Sequence, residues 1–260
     1  MNLVAKKVLF ITEGPVDELH LFKSICSDLN IIEDDRNFYS YKTDLHRFVR
    51  LLLPDNETQL DDIDLLLTLR SQESDTNQKR ILSQTYTDVY IIFDLDPQAP
   101  NTNFEKVRKL IEFYRDSSNQ GRLYINYPMM QSYKHLKSLP DPEFELRYIN
   151  KEDMPYYKRI VNQEALGELI STHNYNHIQL YEMAYHHLCK REKILGRKFC
   201  IPENYYYATE DDLNIFNIQL KELKDNGRCY VLNTSILIYL EYRPEDFLRE
   251  IKYHKDTFRI

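Results

Sequence analysis

A mainly parallel α/β sheet flanked by helices, joined to a mostly helical C-terminal half, is the fold class this sequence predicts. Two observations carry it. The runs Val8-Leu9-Phe10-Ile11, Val89-Tyr90-Ile91-Ile92-Phe93 and Leu123-Tyr124-Ile125 are strand-like, and each is followed by a turn and a stretch of helical periodicity. Only five glycines and no tryptophan, beside 21 tyrosines, argue against an all-β meander and against glycine-rich phosphate-cradling loops.

Taken in order, Lys7 to Thr12 reads as a strand, and Glu13-Gly14-Pro15 as the turn that opens a helix from Val16 to Leu29. Phe38 to Lys42 reads as a further strand, Leu45 to Leu53 as a helix, and Leu60 to Leu82 as a polar helical excursion. Asp88 to Phe93 is the second buried strand, and a helix follows from Asn103 to Arg115. Arg122 to Asn126 is the third, with a helix expected over Met129 to Leu136. From Pro155 the pattern turns helical, with segments expected at Tyr156 to Ser171, Asn176 to Leu195, Asp211 to Lys224, Asn233 to Tyr242 and Pro244 to Tyr253. A boundary near Asp141-Pro142 and Lys151-Glu152-Asp153 divides the chain into 1–150, an α/β domain with a helical insertion around 45–87, and 151–260, a helical region.

The 260 residues carry a net charge of -7, so a globally basic nucleic-acid coat is excluded and any such contact must be local. Cys26, Cys189, Cys200 and Cys229 show no CxxC spacing, and are expected as thiols in a reducing cytoplasm. No run approaches the ~20 apolar residues that span a bilayer, so no membrane association is expected.

Carboxylates gather at the predicted strand ends, where open α/β sheets bind ligands. Glu13 ends the first strand, Asp17 and Glu18 open the next helix, and Asp94 and Asp96 end the second buried strand. Residues i and i+2 of an extended chain face the same way, so Asp94 and Asp96 can address one ion while Leu95 turns to the core. Hard carboxylates without nearby His or Cys select Mg²⁺ or Mn²⁺ over zinc. Taken alone, Glu13 and Asp17 are equally well explained as acids complementing a helix dipole.

The strand running into Glu13-Gly14-Pro15-Val16-Asp17-Glu18 resembles the first motif of TOPRIM domains. The run Val89-Tyr90-Ile91-Ile92-Phe93-Asp94-Leu95-Asp96 is similar to their second, the strand ending in DxD. These domains occur in topoisomerases, primases, small ribonuclease-type maturases and the OLD nucleases of phage-defence systems. The likeness covers about residues 6 to 130, with the motifs roughly 80 residues apart. It implies a metal-dependent nuclease acting on DNA or RNA, in which Glu13 is ligand or general acid/base, Asp94 and Asp96 are ligands, and Asp17 matches the acid of the OLD-type EGxxD/E pattern. No Walker A sequence, primase zinc motif or alignable nucleophilic tyrosine is present. The nearest likeness is thus a stand-alone TOPRIM effector of anti-phage defence, paired with a separately encoded ATPase and capable of forming a homodimer. Gln131, a neutral oxygen donor, stands where that pattern expects a further acid.

Lys134 and Lys137 follow the third strand and are the candidates for phosphate contact. The run Lys190, Arg191, Lys193, Arg197, Lys198 reads more simply as a solvated helix end, Asp211 and Asp212 as helix-start charges, and Tyr205, Tyr206 and Tyr207 as packing residues. Two rival functions stand beside the nuclease: a non-catalytic TOPRIM-derived binding subunit, and a haloacid-dehalogenase-like phosphatase using Asp94, whose usual Gly-Thr continuation is here Pro97-Gln98.

Overall fold

The computed structural model describes residues 6–14, 17–96, 103–197 and 210–254; the side chains of residues 17, 210 and 254 lie outside the description. Cys200, Lys198 and the tyrosines at 205, 206 and 207 also fall outside it. The first half is β1 (Val8–Thr12), α1 (Asp17–Asp28), β2 (Arg36–Ser40), α2 (Leu45–Leu52), α3 (Leu65–Gln72), α4 (Thr76–Leu82), β3 (Asp88–Asp94), α5 (Phe104–Phe113), β4 (Arg115–Asp116) and β5 (Gly121–Asn126).

These strands form one sheet in the order β2-β1-β3-β5-β4, parallel except for the short edge strand β4. All five residues of β1 and all six of β5 are buried, as a parallel sheet covered on both faces requires. Strand β1 has β2 on one side and β3 on the other. The chain therefore leaves β1 in one direction and returns on the opposite side, which makes the gap between the carboxyl ends of β1 and β3 the topological switch point where such sheets bind ligands.

The second half holds β6 (Tyr148–Asn150), α6 (Tyr157–Glu164), α7 (Gly167–Ser171), α8 (His177–Ile194), α9 (Glu210–Asn226), β7 (Arg228–Tyr230), α10 (Ile238–Tyr242) and α11 (Pro244–His254). Strands β6 and β7 pair antiparallel, a small second sheet the helical reading of this half did not anticipate. Helices differ from expectation too: Leu60 to Leu82 divides into α3 and α4, and only Ile238–Tyr242 of Asn233 to Tyr242 is α-helical. Met129 to Leu136 forms only a 3-10 turn, Met130–Lys134. The helix expected over Tyr156 to Ser171 breaks into α6 and α7 because Ala165 is extended (ψ 155°) and the Leu166 N–H turns away to donate to the Leu136 carbonyl at 2.7 Å.

One cluster of buried apolar side chains runs from Val8 to Ile251, on both sides of the boundary expected at residue 150. Polar contacts tie the halves as well: Thr234 Oγ1 donates to the Ile125 carbonyl at 2.9 Å, and Tyr127 and Leu232 exchange backbone bonds at 2.8 Å.

The basic run at the end of α8 is solvated only in part, at Lys193 and Arg197. Lys190 and Arg191 are fully buried. Lys190 Nζ donates to the carbonyls of Phe144 (2.8 Å) and Arg147, while Arg191 bonds Glu192 (2.6 Å) and Asp211 (2.8 Å). Arg197 closes on Asp211 at 2.9 Å through both of its terminal nitrogens. Asp211 is consequently an ion-pair partner rather than a simple helix-start charge. Asp212 pairs with Arg122, a fully buried residue on β5 that also meets Glu241 at 3.2 Å. The linear pattern showed the charges but not their partners, most of which lie 14 to 119 positions away.

Candidate acidic site at the sheet switch point

Glu13 follows β1 and Asp94 ends β3, so pairing of these neighbouring parallel strands sets the two carboxylates side by side. The ladder continues past β1, with Glu13 N–H donating to the Ile92 carbonyl at 3.2 Å. In return the Asp94 N–H donates to Glu13 Oε2 at 3.2 Å. Burial pushes the Glu13 carboxyl up to about 7; the Asp94 N–H opposes this, and the charges of Glu18, Asp44 and Asp96 add to it. Asp94 is raised well above the usual carboxylate range, first by burial and then by the Glu13 charge, against a hydrogen bond from the Met130 backbone.

The turn after β1 is held from within. Glu18, buried on α1, accepts the Gly14 N–H at 3.0 Å, and Thr12 Oγ1 donates to the Gly14 carbonyl at 2.8 Å. A Cβ at position 14 would stand 3.1 Å from both Glu18 carboxylate oxygens, so glycine is what lets this carboxylate close on the turn. The backbone of Asp17 begins α1, but its side chain lies outside the described residues, so its expected role as a ligand is neither placed nor displaced.

Glu13, Asp94 and Asp96 line one cavity of about 230 Å³, whose other walls are Pro128, Met129, Met154 and Pro155. Two of the four expected acids, Glu13 and Asp94, therefore sit against one another, and a third joins them at the rim, where Asp96 is exposed with φ +37°. No local pattern signalled Met154 and Pro155, which come from the second half of the chain. Lys134 and Lys137 are not among the lining residues. Lys134 lies over the Tyr133 ring at 5.6 Å, and Lys137 pairs with Glu164 of α6 at 2.8 Å. Gln131 is buried in the 3-10 turn after β5. A larger hollow of about 720 Å³, between Asp62, Arg70, Tyr86 and Gln120, adjoins the starts of β3 and β5 rather than the carboxylate ends.

The cavity is lined, among the described residues, by acids, proline and methionine, with no basic side chain. Among the described residues no three His, Cys, Asp or Glu side chains converge as a metal-holding group. Two adjoining carboxyls, both raised by burial and neighbouring negative charge, nevertheless fit an oxygen-seeking dication. Mg²⁺ in particular is commonly held by one or two carboxylates, with water and substrate phosphate completing its shell. His186 and His187 lie elsewhere and are structural: His186 Nε2 accepts the Asp141 N–H at 2.8 Å and His187 Nδ1 accepts the Asn233 N–H at 3.0 Å. Cys26, Cys189 and Cys229 are buried, unbridged thiols.

Comparison with protein-family models, curated proteins and solved structures gives no match for this chain. No helix among the described residues is long and apolar enough to cross a membrane.

Proposed function

We propose that this protein is a Mg²⁺- or Mn²⁺-dependent nuclease of the TOPRIM type, hydrolysing phosphodiester bonds in DNA or RNA. The observation that carries the reading is the Glu13–Asp94 pair: two carboxyls on adjacent strand ends at the switch point, joined by a backbone hydrogen bond and both raised by burial. When bound, a dication supplies charge neutralisation and polarisation of the phosphate at this site. Glu13, Asp94 and Asp96 are the residues that would hold it.

The residues themselves do the remaining work. Near pH 7 Glu13 is poised between its protonated and ionised forms, the condition under which one group both accepts and returns a proton efficiently. At Asp94 the Met130 backbone donor opposes the rise that burial and the Glu13 charge impose, and so favours the ionised form that a cation would need. Met129, Met154 and Pro155 add apolar lining beside the acids. Because no cationic side chain among the described residues lines the cavity, a phosphate approaching this acidic pair needs the cation as its counter-charge. The motif likeness extends the proposal to an effector in anti-phage defence, gated by a separate ATPase.

The test is cleavage of single- and double-stranded DNA and RNA, with and without that ATPase, by wild type and by Glu13→Gln and Asp94→Asn variants. Turnover that needs the dication and falls ~10²–10⁴-fold in both variants supports the reading. Undiminished turnover in the variants overturns it. A second reading, a non-catalytic binding subunit, draws on the lack of a preassembled three-residue group among the described side chains. It predicts partner binding that survives both substitutions, with no metal-dependent turnover.

A further inference from the structure

His46 and Asp96 are fifty residues apart, and His46 Nε2 lies 3.1 Å from the Asp96 carbonyl oxygen. A carbonyl can only accept, so Nε2 carries the proton in this contact. His46 is buried, with 4% of its surface exposed, and its position is fixed by the packing of α2. Asp44 caps that helix by accepting the Arg47 N–H at 2.8 Å. Leu45, Phe48, Val49 and Leu52 bury its inner face, and the Phe48 ring packs on Phe93 with centroids 4.8 Å apart. The helix is therefore braced against the end of the strand that delivers Asp94.

Beyond Asp94 the ladder holds for one more residue, with Leu95 N–H donating to the Asn126 carbonyl at 3.0 Å. At Asp96 the backbone enters the left-handed region, φ +37°, which side chains other than glycine rarely adopt. Such a conformation persists where surrounding contacts over-determine it, and it tends to occur where function requires it. The His46 bond falls on the carbonyl of that residue. It holds the turn whose side chain reaches the rim of the Glu13–Asp94 cavity.

We infer that His46 is a positioning residue for the acidic site: its N–H fixes the Asp96 turn and so sets where the third carboxylate stands relative to Glu13 and Asp94. The inference rests on the proposed metal-binding role of that site. It assigns a purpose to the segment separating the two motifs, which returns through α2 to brace the second of them. Asp96 itself makes the contact with a cation, and His46 acts only through it.

The experiment is Mn²⁺ binding to the full chain, followed by electron paramagnetic resonance, in wild type, His46→Phe and His46→Gln, each checked for folding by thermal melting. Phenylalanine keeps the bulk and removes the donor, whereas the glutamine amide restores one at a similar reach. Loss of a group that orients a ligand commonly costs 10–100-fold in metal affinity, so His46→Phe is expected to weaken Mn²⁺ binding at least about tenfold, with recovery in His46→Gln. The same His46→Phe change made in an Asp96→Ala background is expected to add no further loss. Equal Mn²⁺ affinity in wild type and folded His46→Phe overturns the inference, as does an additive loss in the double variant. Wild type that binds no Mn²⁺ refutes the metal-site reading and the inference together, an outcome distinct from the other two.

Discussion

The backbone N–H of Asp94 donates to Glu13 Oε2 at 3.2 Å, so the end of one strand is hydrogen-bonded to the carboxylate that follows its neighbour. A glutamine at position 13 keeps an oxygen able to accept that bond while removing the charge that repels Asp94. We predict that Glu13→Gln leaves the fold intact and shifts the urea midpoint upward at pH 8 without added metal, even as activity is lost. A downward shift would mean that the acidic pair stabilises the fold by itself.

The pH dependence of that effect has a definite sign. Glu13 titrates at its ordinary 4.5 in the unfolded chain and near 7 in the folded one, so between these values the folded state keeps a proton that the unfolded state releases. The stability tied to protonated Glu13 is fully present below pH 4.5 and is lost as pH rises through 7. The advantage of Glu13→Gln over wild type should therefore grow between pH 4.5 and 7 and level off above it. Urea titrations across that range measure the gap, and saturating Mg²⁺ should narrow it. A gap independent of pH would contradict the buried state of Glu13.

Arg122 presents a separate expectation. It is fully buried on β5, paired with Asp212 of α9 and Glu241 of α10, and donates to the Arg115 carbonyl at 2.7 Å. Burial pushes Glu241 up to about 7, with Arg122 pulling it back. Removing the guanidinium strands two carboxylates in the interior, a loss of about 3–5 kcal/mol for a broken buried pair. Arg122→Met should therefore destabilise strongly in equilibrium denaturation, and adding Glu241→Gln should recover part of the loss. An Arg122→Met protein as stable as wild type would show that the network contributes nothing.

Lys190 tests whether the basic run of α8 can serve as a phosphate-binding surface. Its ammonium group is committed to the Phe144 and Arg147 carbonyls, and burial lowers its pKa well below the ordinary value. Lys190→Met should cost about 1–3 kcal/mol of stability through lost hydrogen bonds and leave nucleic-acid affinity unchanged in filter-binding measurements. Weakened binding with unchanged stability would reverse that assignment.

The parallel sheet was legible because β1, β3 and β5 are short apolar runs bounded by turn residues, a local signal. Glu13, Asp94 and Asp96 were legible because strand ends can be located from those runs. His46, Met154 and Pro155 were not, since nothing local in a single sequence says that position 46 returns to position 96, or that residues beyond 150 wall the site. The same limit explains the misread charges: Arg191 and Asp211 look like ordinary helix-end residues until the fold brings them within 2.8 Å. The break between α6 and α7 was hidden for a related reason, because the partner of the Leu166 N–H is the distant Leu136 carbonyl.

The claim that Glu13 and Asp94 form a cation site is tested most directly by Mn²⁺ titration of the wild-type chain and its Asp94→Asn variant, read by electron paramagnetic resonance. We predict a saturable site in wild type that the variant loses while keeping its melting temperature. Indistinguishable Mn²⁺ binding by the two proteins would contradict it.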